Sequence, residues 1–359
     1  MKPFRFVIVG CGVISETHAQ SLSQLLPHQV QLEACVDVVA ERAEALAQKY
    51  GVRAATLADV LNDPDIDAVS VCTPSGLHAE VGVQALAAGK HVILEKPMDV
   101  SVAACDALIA AQAGSGKRLA VVSQHRFDPS TKALRTAVDS GVLGKIIGAD
   151  VRVPWYRTQE YYDSGDWRGT WALDGGGCLI NQGVHTLDLM LWLCGPVETV
   201  YAQARTAAHE RIEVEDIITA TLSFRNGAVG SLFASTAAYP GFPARLAVYG
   251  DAGSAVIEGD ALASMASRDG EALTGDAPVA HAVQVAMGGT RAALNDTSAS
   301  PAIAWGDAHR EQILDFVDAC RNDRAPLLDG AGGRLAVATI NAIYESARTG
   351  NVIAVDNGR

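Results

Sequence analysis

The chain is 359 residues long, 49% hydrophobic and 19% charged, with 41 acidic side chains against 28 Lys and Arg and a formal net charge of −13. This length accommodates one large or two ordinary domains, and the composition is that of a soluble globular protein, not a disordered one. The acidic balance argues against nucleic acid or an anionic membrane surface as partner, while a phosphate-bearing ligand stays open because helix N-termini bind phosphate without Lys or Arg.

Residues 1–9 run straight into Gly10-Cys11-Gly12 with no small-residue cleavage site, so they read as a first strand and not as a signal peptide. No apolar run approaches the length of a membrane span. Roughly the first third of the chain alternates β-branched runs with Ala-rich stretches. Strands are predicted at 6–9, 32–36, 68–72 and 92–94, and helices at 13–26, 40–50 and 77–88, with Gly51 and Gly89 placed to end two of them. Strand–helix–strand repetition at this spacing predicts an α/β domain with a doubly wound parallel sheet, a Rossmann domain, over 1–123.

After Gln124 the rhythm changes. A helix over 129–140 leads to an extended segment at 145–153 and then to an aromatic, Gly-rich stretch. A helix over 179–194 stops at Gly195-Pro196, and alternating strands follow, with Asn226-Gly227 as a hairpin turn between 217–224 and 228–234. Residues 260–304 are rich in Ala, Ser and Gly with weak periodicity and read as a long loop. Helices over 305–321 and 334–349 close a second, α+β domain spanning 124–359, built on antiparallel strands. The seven cysteines are scattered and free of CxxC spacing, so neither a disulfide framework nor a metal site is expected, and a reducing cytoplasm fits.

The segment Phe6–Ser15 is a strand running into G-x-G-x-x-S and a helix. Gly10 permits the tight turn, and Gly12 lets the backbone approach a pyrophosphate at the helix N-terminus. Ser15 stands where a third Gly or Ala usually packs helix on strand, and is small enough to serve. Asp37 ends the second strand, where a carboxylate would accept ribose hydroxyls and repel a 2′-phosphate. NAD is thereby favoured over NADP. The bland alternative is a glycine turn with Asp37 as a helix cap.

Two further segments carry the chemistry. Glu95-Lys96-Pro97 follows a strand of the parallel sheet, at the end where ligands bind in open α/β folds. A Lys there needs partners if buried, Glu95 being the nearest; otherwise it is a solvated strand end. The second segment is the Gly175-Gly176-Gly177 approach to the helix over 179–194. Ile180, Val184, Leu187, Leu191 and Cys194 make an apolar stripe, and Asn181, His185, Asp188 and Trp192 share another face. Asn181 and His185, one turn apart, could address one ligand, with His185 as proton acceptor; a packed core histidine is the alternative.

With these motifs the chain resembles the Gfo/Idh/MocA family, over essentially its whole length. The resemblance rests on the Gly10–Ser15 turn, Cys72-Thr73-Pro74-Ser75 with His78, Glu95-Lys96-Pro97, Arg126-Phe127-Asp128-Pro129 and the Gly-rich helix carrying His185. It implies a Rossmann domain followed by a domain built on a large, mostly antiparallel sheet, with the active site between them. It also implies that Lys96 and His185 are the catalytic pair. Cofactor contacts are expected from Gly10, Gly12, Val13, Ile14 and Asp37, from Thr73, Pro74 and His78, and from Glu95, Lys96 and Gln124. Inositol dehydrogenase-like members carry Asp where this chain has Asn181, so an Asp–His relay is not expected; Asn there resembles the nucleotide-sugar 3-dehydrogenases.

Tyr161, Trp167 and Arg168 resemble the part of the family that handles pyranose rings, since aromatic faces stack on sugar C–H surfaces and Arg168 could fork onto a carboxylate or hydroxyls. An aromatic loop at a subunit interface is the alternative. The expected reaction is NAD-dependent oxidation of a ring secondary alcohol of a sugar, glycoside or cyclitol, possible at C3 of a pyranose, or the reverse reduction. In it His185 takes the hydroxyl proton and Lys96 steadies the alkoxide. The resemblance further implies a homodimer or homotetramer joined through the second domain's sheet. A non-catalytic NAD- and sugar-binding regulator is the rival from another class, and the presence of both Lys96 and His185 argues against it.

Overall fold

A computed structural model describes residues 2–25, 29–268, 278–287 and 306–358. The N-terminal part runs β1 (Phe4–Val9), α1 (Val13–Gln24), β2 (Val30–Val36), α2 (Ala40–Tyr50), β3 (Arg53–Ala54), α3 (Leu57–Asn62), β4 (Ala68–Val71), α4 (His78–Ala87), β5 (His91–Leu94), α5 (Val102–Ser115) and β6 (Leu119–Val121). There follow α6 (Pro129–Asp139), β7 (Ile146–Pro154), α7 (Gln159–Asp163), a π-helical turn (Leu179–Gly183) and α8 (Val184–Cys194). Strands β8 (Val197–Arg205), β9 (Ile217–Phe224), β10 (Val229–Ser235), β11 (Arg245–Gly250), β12 (Gly253–Glu258) and β13 (Ala261–Ser267) come next. The chain closes with α9 (Pro278–Met287), α10 (Gly306–Arg321), α11 (Gly330–Thr349) and β14 (Ile353–Ala354).

The chain forms two units. Among the described residues the first comprises 2–124, Ala172–Gly175 and 306–337, so the chain returns to it twice after leaving at Gln124. Its six strands lie in the order β3-β2-β1-β4-β5-β6, all parallel. Because such a sheet is covered on both faces, its strands are apolar on both. Val7, Val9, Val36, Val69, Val71 and Leu94 enter one core. Phe6, Ile8, Leu32, Cys35 and Ile93 enter the other, where Ile313, Phe316 and Val317 of α10 join them. Local chemistry sets the helix ends: Gly51 takes φ +66° after α2, and Thr56 and Asp59 form a reciprocal capping box on α3.

The second unit comprises 125–171, 176–268, 278–287 and 338–358 among the described residues. Its eight strands lie in the order β13-β12-β11-β7-β10-β9-β8-β14. Every pairing is antiparallel except the central β7–β10 pair. The Asn226-Gly227 turn joins β9 to β10, with Gly227 at φ +88°.

The long loop expected at 260–304 is corrected where it can be seen. Ala261–Ser267 is the edge strand β13, paired with β12, and Pro278–Met287 is helix α9, packed on α6 and β13. The rest of that stretch, and Trp305, lie outside the described residues. The single helix expected over 179–194 opens with a π-helical turn before continuing as α8.

Candidate active site

In the first unit the carboxyl ends of β1, β4, β5 and β6 bring together Gly10, Thr73-Pro74, Glu95-Lys96-Pro97 and Gln124. Gly10 has φ +93°, and a Cβ there would stand 2.6 Å from the Cys72 carbonyl carbon, so only glycine lets the turn pass. Gly12 differs. A Cβ on it would meet nothing within 4 Å, so protein packing does not demand glycine there. It caps α1 without any side-chain hydrogen bond, leaving the helix N-terminus open to an anion. Ser15 is buried and its hydroxyl donates to Gly12 O at 2.5 Å.

These residues fit a dinucleotide. Thr73 Oγ1 and Gln124 Oε1 are buried with no hydrogen-bond partner among the described residues, a cost that a polar ligand at this edge would remove. Val13 and Val38 are exposed beside the turn. Asp37 accepts the Cys11 N–H at 2.7 Å and the Val39 N–H at 2.8 Å, which holds its carboxylate at the tip of β2. His78 is engaged otherwise. Its Nδ1 lies 2.7 Å from Pro97 O and its Nε2 3.0 Å from Thr73 O; a neutral ring donates to one of these carbonyls at a time, and burial pushes its pKa down. It sits between the Lys96-Pro97 turn, a cis peptide, and the end of β4.

Glu95 has partners that sequence reading did not find. His18 Nε2 of α1 lies 2.8 Å from its Oε1, His309 Nε2 of α10 lies 3.8 Å away, and its Oε2 accepts the Lys96 N–H at 3.1 Å. Burial alone would raise its pKa, but the two imidazoles outweigh that and hold the carboxyl well below the usual carboxylate range. A histidine distant in sequence gives no signal of such a pairing. His18, Glu95 and His309 also bring three potential metal ligand atoms together, as do His125, Asp128 and Asp260. In each cluster one imidazole nitrogen sits 2.7–2.8 Å from a carboxylate oxygen, the spacing of a shared proton. Gln312 of α10 pins the end of β6, donating to Val121 O at 2.8 Å and accepting the Ser123 N–H at 2.9 Å.

In the second unit the Gly-rich approach is shaped by Glu215. Its carboxylate accepts the Gly177 N–H, the Leu179 N–H and the Tyr344 hydroxyl, each at 2.9 Å, and burial pushes its pKa up to about 7. A Cβ on Gly177 would lie 1.8 Å from Glu215 O. The backbone thus enters the π-helical turn along one route, and that turn carries Asn181 and Gln182. His185, 9% exposed, follows on α8.

Below it, Asp188 takes Arg126 in a two-pronged pair, Oδ2 to Nε at 2.8 Å and Oδ1 to Nη2 at 2.7 Å, and the Arg126 guanidinium lies 5.1 Å from the Trp192 ring centre. The lower part of the polar face is therefore structural. His125, next to Arg126 in the chain, stands edge-on to His185, with ring centroids 5.4 Å apart.

The sugar-handling residues expected from sequence do meet. Arg168 Cζ lies 4.3 Å from the Tyr161 ring centre and 4.4 Å from that of Trp167, and its Nη1 donates to Tyr161 Oη at 2.7 Å. Gln182 Nε2 donates to the same oxygen at 3.0 Å. Arg157, not singled out by sequence, joins them with Cζ 5.3 Å from the Tyr161 ring centre.

Residues 4–123 match an oxidoreductase family with an NAD-binding Rossmann fold, and residues 131–256 match the GFO/IDH/MocA C-terminal domain. The chain belongs to the Gfo/Idh/MocA family. As a Gfo/Idh/MocA protein it is an NAD-binding oxidoreductase of a family whose members act on sugars and cyclitols. It is similar to the WlbA dehydrogenase from Bordetella pertussis, solved in complex with NADH and UDP-GlcNAcA. That likeness has 32% identity, covers 99% of this chain and 98% of that one, and gives a TM-score of 0.88. It is 29% identical to the myo-inositol 2-dehydrogenase of Thermotoga maritima, over 69% of this chain and 73% of that protein. It is 31% identical to the D-glucoside 3-dehydrogenase of Escherichia coli, over 64% and 69% respectively. No described helix of this Gfo/Idh/MocA chain is long and apolar enough to cross a membrane.

Proposed function

We propose that this Gfo/Idh/MocA protein oxidises a ring secondary alcohol of a sugar-like substrate, with His185 as proton acceptor and Lys96 as the charge that steadies the developing alkoxide. The observation that carries the reading is His185 itself, nearly buried and set one turn beyond Asn181 on the rigidly anchored Gly-rich segment. A neutral imidazole held there takes the hydroxyl proton, and the Asn181 amide orients the hydroxyl without itself ionising. NAD, when bound, supplies the hydride acceptor. Gly10, Gly12, Val13 and Ile14 would hold its pyrophosphate, Asp37 its ribose hydroxyls, and Thr73, Pro74 and Gln124 its nicotinamide half. Glu95 and His78 position the turn that carries Lys96.

Lys96→Ala should lower turnover by about two orders of magnitude or more while NADH binding is largely kept, read by steady-state kinetics and by fluorescence titration of the cofactor. Near-normal turnover in that variant would falsify the role of Lys96. His185→Ala should remove the rising limb of the pH profile of kcat/KM.

A second reading, oxidation at C3 of a nucleotide-sugar uronate, is favoured by Asn181 and by the likeness to the Bordetella pertussis dehydrogenase that was solved with UDP-GlcNAcA. NADH formation on UDP-GlcNAcA, set beside myo-inositol and a simple glucoside, separates the two. A cytoplasmic homodimer or homotetramer, joined through the open face of the eight-stranded sheet, belongs to the same proposal; Tyr201, Val229 and Tyr249 lie exposed on that face.

A further inference from the structure

Three arginines are nine-tenths or more buried among the described residues: Arg126, Arg157 and Arg334. Two of them meet a carboxylate, Arg126 at Asp188 and Arg334 at Asp106. Arg157, 3% exposed, meets none among the described residues. Its Nε has no hydrogen-bond partner, its Nη1 makes a long 3.3 Å bond to Tyr156 O, and the guanidinium otherwise hydrogen-bonds the neutral Tyr161 side chain. A guanidinium has five N–H donors, and burying one without an acid is costly unless something else neutralises it.

The local arrangement adds to that cost. Arg168 is half-buried, also has no acid partner among the described residues, and shares the Tyr161 ring with Arg157. Two acids on the same stretch are occupied elsewhere, Asp163 by Arg211 and Gln159, and Glu213 by the Trp171 N–H. The aromatic faces of Trp155, Tyr161 and Trp167 stabilise the two cations only in part. Gln182, beside Asn181, turns its amide nitrogen to Tyr161 Oη and leaves a buried Oε1 with no partner among the described residues.

We infer that Arg157 and Arg168 form a subsite for an anionic group of the substrate, a carboxylate or a phosphate, so that this protein takes an acidic sugar derivative and not a neutral one. The anion supplies the negative charge that the unit lacks here, and Gln182 Oε1 accepts from a neighbouring hydroxyl of the same sugar. Arg157 is held for this by its backbone, whose N–H donates to Thr236 O at 2.8 Å and whose carbonyl faces His209 Nε2 at 2.8 Å. The inference rests on the sugar-oxidising reading for the location of the substrate, and its test reads binding, not turnover.

Calorimetric titration of the full chain with NADH present compares two pairs of probes, UDP-glucuronate with UDP-glucose and glucose 1-phosphate with glucose. The member of one pair that carries the extra acidic group should bind on the order of 100-fold tighter than the member that lacks it, and which pair shows the difference tells carboxylate from phosphate. Arg157→Met and Arg168→Gln should each lower that preference by a similar factor. Arg157→Met should also hold or raise the Tm of the ligand-free protein, because it removes an uncompensated buried charge, a result that a purely structural arginine would not produce. Should Arg157→Met fail to fold, Arg168→Gln decides. Equal binding within both pairs, or an acid preference left intact by Arg168→Gln, overturns the inference. Arginine-dependent binding of the acidic probe with no NADH formed on any sugar leaves it standing and removes the catalytic reading instead.

Discussion

His125 stands edge-on to His185, with its Nδ1 2.7 Å from Asp128 Oδ2 and Asp260 at 3.4 Å. Burial opposes its imidazolium, but the Asp128 hydrogen bond and the charges of Asp260 and Asp128 outweigh it, and its pKa is raised. It therefore keeps a positive charge to higher pH than an ordinary histidine, and that charge disfavours a second one on His185. Asp128→Asn lets His125 lose its proton earlier, so the limb in kcat/KM proposed for His185 should move to higher pH. An unmoved limb would mean that the two rings are not coupled. Asp37 bears on cofactor choice by similar logic. Its carboxylate at the tip of β2 should favour NAD, and Asp37→Ser should narrow the preference over NADP, measured as the ratio of kcat/KM values.

At the scale of elements, the segments that present the site are held by buried carboxylates. Asp216 accepts the N–H groups of Ala207, Ala208 and His209 at 2.7 to 2.9 Å and meets His209 Nδ1 at 3.0 Å. Burial opposes its charge, yet these donors lower its pKa to about 2. An unfolded Asp titrates near 3.9. The stability Asp216 contributes is thus present above about pH 4 and is lost as pH falls toward 2. Asp216→Asn should lower Tm at neutral pH by several degrees and flatten the acid limb of a Tm–pH curve. Gly177→Ala should destabilise by at least about 2 kcal/mol in denaturant melts, because its Cβ would collide with the Glu215 backbone.

Glu215 shows why part of the site was hidden from sequence reading: nothing in its surroundings marks it as the anchor of a glycine run nearly forty residues earlier. The Rossmann unit was legible because parallel strands buried on both faces read as β-branched runs. Helix α5 went unread because its apolar residues are spread around the axis and form no stripe, with only Cys105 and Leu108 fully buried. β13 went unread because Ala-Leu-Ala-Ser-Met-Ala-Ser has little strand character of its own and is held by pairing with β12. The arrangement of Asn181 and His185 on one segment was legible, the π-helical turn that carries Asn181 was not, and Arg157 drew no notice because its lack of an acid partner exists only in three dimensions.

At the scale of the whole molecule, the net charge of −13 and the acidic-sugar inference belong together: a protein repelling anions overall must concentrate cations where it accepts one. Raised salt should accordingly weaken binding at the Arg157–Arg168 site less than at an exposed surface site, since buried charges are poorly screened. If copies of the chain associate through the open face of the eight-stranded sheet, Val229→Lys should convert the assembly to monomer in light scattering. An assembly that survives the substitution would place the contact on another surface.

The return of residues 306–337 to the first unit has a consequence for how the protein is made. A ribosome delivers the six parallel strands first, yet Phe316, which lies 6.1 Å ring to ring from Phe6, together with Gln312 at the end of β6 and His309 at Glu95, emerges only after about three hundred residues. Until then one face of the nascent sheet lacks its α10 cover and Glu95 has one of its two imidazoles. A fragment ending at Gln124 should therefore expose apolar surface and fail to hold NAD, whereas joining residues 306–337 to it should restore a cooperative melt. The parallel sheet gains its α10 cover only after the second unit's strands have been made, so a chain cleaved before α10 should melt without cooperativity.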